Sequence, residues 1–222
     1  TMQFGWTADE ATSLALLDAF VDQGGDAIDT ADIYSAWAPG NQGGDSELVI
    51  GRWLKASGKR NRVVIGTKVG MWPKRLGLRR ANIIAACEDS LQRLGIDAID
   101  LYQLHRDDEE TPASEFMGAL DELVRAGKVR AVGVSNFAPA RLAEALAAGG
   151  PRVATAQPEY NLMNRAIEAE LAPLCVREDV SIVSYYALAS GFLTGKYRSA
   201  ADKGKSVRGG RMDKYLEGKG PA

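Results

Sequence analysis

The 222 residues are 45% hydrophobic and 25% charged, a balance that fits one globular domain with a sizeable core and excludes a disordered or fibrous chain. A net charge of -2 offers no basic field to nucleic acid or to an anionic membrane surface. No apolar run approaches the roughly 20 residues of a membrane-spanning helix, and Thr1–Gly5 lacks the basic-then-apolar pattern of a signal peptide, so a cytoplasmic protein is expected.

Thr7-Ala8-Asp9-Glu10 reads as a capping box, with Thr7 as the cap, ahead of an amphipathic helix carrying Leu14, Leu17 and Val21. Gly24-Gly25 ends it, and a short strand, Ala27–Thr30, follows. The next loop, Ser35–Gly44, is long and holds Trp37, which suggests a functional loop. Asp45 or Ser46 opens a helix with Val49, Ile50, Trp53 and Leu54 on its apolar face. Gly58 ends that helix, and Val63–Lys68 is the next strand.

A loop with Trp72 and Pro73 leads to a helix striped by Ile83, Ile84, Cys87, Leu91 and Leu94, then to the strand Ala98–His105. Thr111-Pro112 caps a helix with Phe116, Leu120, Leu123 and Val124. The strand Val129–Ser135, the helix Pro139–Ala147, the strand Val153–Gln157, the helix Ile167–Arg177 and the strand Val180–Tyr186 complete the regular pattern. From residue 199 to 222 the chain is rich in Gly, Lys and Arg without a period and is expected to be a flexible tail or loop of a single domain spanning 1–222.

Short Val- and Ile-rich strands alternating with helices belong in a parallel sheet covered by helices. A (β/α)8 barrel and a doubly wound sheet both satisfy this. No turn carries G-x-G-x-x-G, which removes the main support for a Rossmann sheet. Gly191–Tyr197 is one residue short of a P-loop and lacks its Ser/Thr. The barrel is therefore expected, with about seven strands here, because it gathers chemistry at the C-terminal ends of its strands.

Those ends carry the candidate residues. The strands run into Asp29, then Tyr34; into Lys68; and into His105, the only histidine. A phenol is a poor acid at neutral pH, but a nearby ammonium stabilises its phenolate. Lys68 can supply that charge and Asp29 can hold it. His105 can donate a hydrogen bond to a carbonyl oxygen. Together they suit protonation of an alkoxide as a hydride arrives. Taken singly, each has a plainer role: Asp29 a loop cap, Tyr34 a packed aromatic, His105 a satisfied core residue. One histidine and two distant cysteines, Cys87 and Cys175, argue against a metal site or a disulfide. Trp6, Trp37 and Trp72 all read as lying in loops that follow strands and are expected with His105 to wall a substrate pocket.

Asp29-Thr30-Ala31-Asp32-Ile33-Tyr34, Gly66-Thr67-Lys68 and Asp100–His105 resemble the catalytic blocks of the aldo-keto reductases. So do Gly127–Phe137, Gln157–Asn161 and Tyr185–Tyr197, in the family's order. The resemblance implies a (β/α)8 barrel and reversible reduction of a small aldehyde, ketone or sugar carbonyl by NADPH, with NADH the other candidate. It implies Tyr34 as general acid, Asp29 and Lys68 as its tuning pair, and His105 as carbonyl orienter. It also implies that Ser135, Asn136 and Gln157 hold the nicotinamide carboxamide and that Tyr185 stacks on the ring. Leu188, Ser190, Gly191, Leu193 and Lys196 would lie along the pyrophosphate, and Thr1, Met2 and Asp29 beside the cofactor.

The family's eighth strand and helix have no counterpart here, Tyr186-Ala187 stands where relatives often have Ser-Pro, and Thr1–Phe4 reads as the tail of a first strand. A longer protein is therefore expected. Two other functions compete: a cofactor-binding, redox-sensing regulatory subunit with little turnover, and a phosphate-binding barrel isomerase.

Overall fold

The computed structural model describes residues 1–216. The chain forms two compact units, Thr1–Thr155 and the residues from Ala156 on. Residues 217–222 of the expected tail lie outside the described residues.

In the first unit, strands β1 (Ala27–Asp29), β2 (Val64–Val69), β3 (Ile99–Leu104) and β4 (Val129–Ser135) lie side by side in chain order, all parallel. Helices α1 (Glu10–Asp22), α2 (Asp45–Ser57), α3 (Arg80–Leu94), α4 (Ala113–Arg125) and α5 (Pro139–Ala147) connect or precede them. Strand β5 (Val153–Gln157) begins in this unit and ends in the next. Alternation sorts the strand residues. Ile65 and Val69 of β2, Tyr102 and Leu104 of β3, and Val132 and Val134 of β4 are buried. The helices contribute Trp53, Ile83, Leu94, Phe116, Leu120 and Leu142 to the same core. Each such side chain adds roughly 1.5–3 kcal/mol through its removal from water.

Register fixes the site's geometry. Asp29 stands opposite Gly66, and Lys68, Gln103 and Gly133 form one row across β2, β3 and β4. Helix ends follow the expected chemistry in most places; Gly95 closes α3 at φ 65, where its N–H reaches the Leu91 carbonyl. The start of α1 differs from expectation. Asp9, not Thr7, is the N-cap, and its carboxylate accepts from Thr12 N at 2.8 Å. A carboxylate so placed satisfies an orphan amide and also complements the helix dipole. Residues 1–4 form no strand; Phe4 makes a single bridge to Ala8, and Thr1 donates from its amine and hydroxyl to the Asp29 carbonyl.

The second unit holds the end of β5, α6 (Leu171–Arg177), β6 (Ser181–Ile182) and α7 (Asp213–Leu216). The expected helix from Ile167 is split: a turn at Ala166–Glu168 precedes α6. Regular pairing in β6 is shorter than the expected Val180–Tyr186. Tyr185 N still donates to Pro158 O at 3.0 Å, and a positive φ of 55 at Tyr186 turns the chain away. Ala189, Tyr197, Met212 and Tyr215 make a small core here, with Phe192 stacked on Tyr215. Among the described residues the regular strands number six, β1 to β6.

Candidate active site

Lys68 is the centre of the site. It projects from near the end of β2 and is fully buried. A buried ammonium needs all of its donors met. Its Nζ donates to Asp29 Oδ2 at 2.6 Å, to the Thr30 carbonyl at 2.8 Å and to Tyr34 Oη at 3.1 Å. Burial alone would depress the lysine's pKa, but the Asp29 charge and the Tyr34 oxygen outweigh it and hold the pKa above its ordinary value. The tyrosine oxygen is an acceptor in this contact, so its own hydrogen is not used by Lys68. Asp29 meets Lys68 from the end of β1, and its side chain is 42% exposed. Its other oxygen accepts from Gln103 Nε2 at 3.3 Å.

His105 follows β3 immediately, and its ring meets Tyr34 edge-on with centroids 5.7 Å apart. Burial, and then the charge on Lys68, push its pKa down to about 3, so the imidazole is neutral at ordinary pH. Its Nδ1 is buried without a hydrogen-bond partner. Its backbone is held by Val69 O and by the Asn136 side chain, which donates to the His105 carbonyl at 2.9 Å.

The tryptophans divide. Trp37 lies edge-on to Tyr34 at 6.4 Å, and Trp6 edge-on to Trp37 at 5.8 Å. Trp37 thus adjoins the phenol ring with Trp6 packed on it, and Trp37 is exposed. Trp72 instead lies beside Lys74 and Arg93, against Gly43, where an added Cβ would come within 2.5 Å of its indole. A cavity of about 560 Å3 lies elsewhere, between α2, α3 and the start of β4, and contains none of the four candidate catalytic residues. Its arginines are already engaged, Arg52 by Glu10, Arg60 and Arg130 by Asp100, and Arg93 by Glu47.

Asp29 and Tyr34 on the Lys68 ammonium, with His105 against the Tyr34 ring, narrow the comparison with known proteins. Residues 1–215 match the model of the aldo/keto reductase family. The chain belongs to that family. It is 38% identical over 192 residues to the aldo-keto reductase YhdN of Bacillus subtilis, covering 85% of this chain and 55% of that protein. It is 37% identical to the aldo-keto reductase yakc [NADP(+)] of Schizosaccharomyces pombe, covering 90% of this chain and 58% of that one. A crystal structure of an aldo-keto reductase from Klebsiella pneumoniae in complex with NADPH superposes with a TM-score of 0.71 at 34% identity, covering 82% of this chain and 60% of the other. The chain thus spans a little over half the length of these aldo-keto reductases.

The remaining family positions fall within one unit or the other. In the first, Ser135 is buried at the end of β4 and its Oγ accepts from Asn136 Nδ2 at 3.0 Å. Asn136 itself has φ 57. Thr1 is hydrogen-bonded to the Asp29 carbonyl, and the half-buried Met2 accepts weakly from Ser35 Oγ at 3.5 Å. In the second, Gln157 is buried and Tyr185 packs edge-on to Tyr186. Ala189, Ser190 and Gly191 all have positive φ, and the backbone folds back so that Gly191 N and Leu193 N both donate to the exposed Leu188's carbonyl. A Cβ on Gly191 would sit 3.4 Å from the Lys196 side chain.

Asp32 was not among the expected site residues, although it lies two positions before Tyr34. It is fully buried, and neither carboxyl oxygen has a hydrogen-bond partner. Burial, and then the charge on Glu47, raise its pKa to about 8, with Arg93 offsetting part of the rise. The folded protein therefore keeps a proton that the unfolded chain gives up near pH 4. Stability contributed here is present at low pH and is lost as pH rises from about 4 towards 8. Asp32→Asn should raise the melting temperature by several degrees more at pH 8.5 than at pH 5, as read by calorimetry at both pH values. Equal shifts at the two pH values would refute the protonated state.

Proposed function

We propose that this chain carries the catalytic half of a reductase that moves a hydride between NADPH and an aldehyde, ketone or sugar carbonyl. The observation that carries the reading is the threefold donation of the buried Lys68 to Asp29, Thr30 O and Tyr34 Oη. That arrangement stabilises negative charge on the phenol oxygen while leaving the phenol's hydrogen for another acceptor.

The nicotinamide, when bound, supplies a hydride, two electrons with one proton, to the carbonyl carbon. The chain's own residues act on the oxygen. Neutral His105, with a ring N–H, donates to the carbonyl oxygen and orients it. Tyr34 transfers its proton to that oxygen as negative charge builds there, and an alcohol results. Lys68 holds the phenolate left behind, Asp29 keeps Lys68 in place, and the phenolate regains its proton from solvent. Trp37 beside Tyr34, with Trp6 packed on it, offers an aromatic wall that suits an aryl or sugar carbonyl.

The cofactor assignments have local support. Ser135 and Asn136 present a hydroxyl and an amide just beyond β4, next to His105, and suit a carboxamide. In the second unit, the left-handed residues Ala189–Gly191 turn the backbone sharply, and Lys196 brings to that turn a cation suited to a phosphate. We assign Leu188, Ser190, Gly191, Leu193 and Lys196 to the pyrophosphate on that basis, Gln157 to the carboxamide and Tyr185 to the ring. Thr1, Met2 and Asp29 take the position beside the cofactor that the family pattern gives them.

Fluorescence titration with NADPH, followed by cofactor consumption with a panel of aldehydes and ketones, tests the reading. Saturable binding with turnover is expected. Binding without turnover on any carbonyl would favour the regulatory subunit, and absence of nicotinamide binding would favour the isomerase.

A further inference from the structure

Asp29 has two oxygens, and the proposed mechanism uses one. The other accepts from Gln103, a residue that is fully buried on β3. Gln103 stands two positions before His105 and so shares its face of the sheet, while Tyr102 turns to α3 and donates to the Ile83 carbonyl. In the register Gln103 lies directly beside Lys68 on one side and Gly133 on the other.

Two further observations explain how the amide is held. Thr155, the last residue of the first unit, donates from Oγ1 to Gln103 Oε1 at 3.2 Å. That bond fixes the amide's sense: the oxygen faces a hydroxyl donor, and the NH2 faces a carboxylate. Thr155 and Gln103 can meet only because the residue between them has no side chain. A Cβ on Gly133 would come within 2.1 Å of Thr155 Oγ1 and 3.1 Å of Gln103 Cγ. Gly133 has no positive φ to explain it, so close approach is its reason.

We propose that Gln103 is a positioning residue for carbonyl reduction: locked by Thr155 in the space left by Gly133, it fixes Asp29 against Lys68 and thereby sets the field at Tyr34. This rests on the reductase reading. Asp29 needs such a tether because its side chain is partly exposed, and water competes for it. A line of contacts then runs Thr155, Gln103, Asp29, Lys68, Tyr34, crossing β5, β3, β1 and β2 in turn.

The sign of the effect follows from the charges facing Tyr34, which include Asp29 from β1, Lys68 from β2 and His105 after β3, the last of them neutral. Asp29 offsets part of the ammonium's field. Once released by Gln103→Leu, it drifts from Lys68, the phenol faces a less compensated cation, and it ionises more readily. Reduction needs the protonated phenol, so its alkaline limb moves to lower pH.

The test is steady-state reduction with NADPH across pH for Gln103→Leu, Thr155→Val and Thr155→Ser. Gln103→Leu should lower kcat about tenfold and shift the alkaline limb to lower pH, with NADPH affinity by fluorescence within about twofold of the parent. Thr155→Val should shift the limb the same way by less, and Thr155→Ser, which keeps the hydroxyl, should restore the parental profile. An unshifted limb in both Gln103→Leu and Thr155→Val, while Tyr34→Phe is inactive, overturns the positioning role and leaves the reductase reading standing. An active Tyr34→Phe overturns the role given to Tyr34, and a parent protein that reduces no carbonyl overturns the reductase reading itself. Should Gln103→Leu fail to fold, the Thr155 pair decides the matter alone, since a hydroxyl-for-methyl exchange at a half-buried position leaves the packing intact.

Discussion

Tyr34→Phe is expected to lower kcat for carbonyl reduction by about 10²–10⁴-fold while NADPH affinity stays nearly unchanged. The phenol oxygen is 3.1 Å from Lys68 and accepts from it, and in the proposed reaction its proton goes to the substrate oxygen. Phenylalanine keeps the ring and its edge contacts with His105 and Trp37. The variant should therefore fold and bind cofactor normally but lack the donor that acts as charge develops. Steady-state kinetics and a fluorescence titration on the same preparation separate the two quantities. A variant with parental kcat would remove Tyr34 from the reaction.

Lys68→Met should be nearly as damaging to activity, by about 100-fold or more, with a different pH signature. The ammonium and the phenol oxygen interact strongly enough that the tyrosine contributes to raising the lysine's pKa, so the influence is reciprocal. Without the charge the phenol ionises less readily, and the alkaline limb of residual activity should move to higher pH, opposite to the shift expected of Gln103→Leu. The cost to stability should be smaller than for a fully buried pair. Asp29 is 42% exposed and can be hydrated, and Met fills the lysine's place with an apolar chain. A parental pH–rate profile in Lys68→Met would contradict the pairing.

Much of this was legible in the residues because strand ends and chemistry coincide. Val63–Lys68 opens with a Val-Val-Ile run and ends in a lysine, and only a partner makes such a lysine tolerable, so the sequence alone points Lys68 towards Asp29 and Tyr34. Helix ends at Gly58, Gly95 and Gly127 were equally plain. Other features depended on distances that sequence does not carry. Trp72 lies in a loop after a strand, like Trp37, yet the open space over Gly43 and the cations of Lys74 and Arg93 draw it to another part of the unit. Thr7 reads as the better cap than Asp9 because Glu10 completes a box, but the carboxylate two residues closer reaches the amide of Thr12. Gln103 carried a weak signal, its period-two spacing from His105. The reason for it lies in Gly133 and Thr155, which are far along the chain and become neighbours only through the parallel register. Asp32 reads as a loop acid in the sequence, and only its burial beside Glu47 reveals that it holds a proton.

Hydride transfer to a carbonyl under the control of Tyr34 and Lys68 is the step on which the proposed function stands. Its most direct test mixes the protein with NADPH deuterated at the transferable position of the nicotinamide and an aryl aldehyde, then reads the alcohol by mass spectrometry. Alcohol carrying deuterium on the former carbonyl carbon is expected from the parent protein and should be lost in Tyr34→Phe. Tight NADPH binding with no labelled alcohol from any aldehyde or ketone in the panel would contradict it.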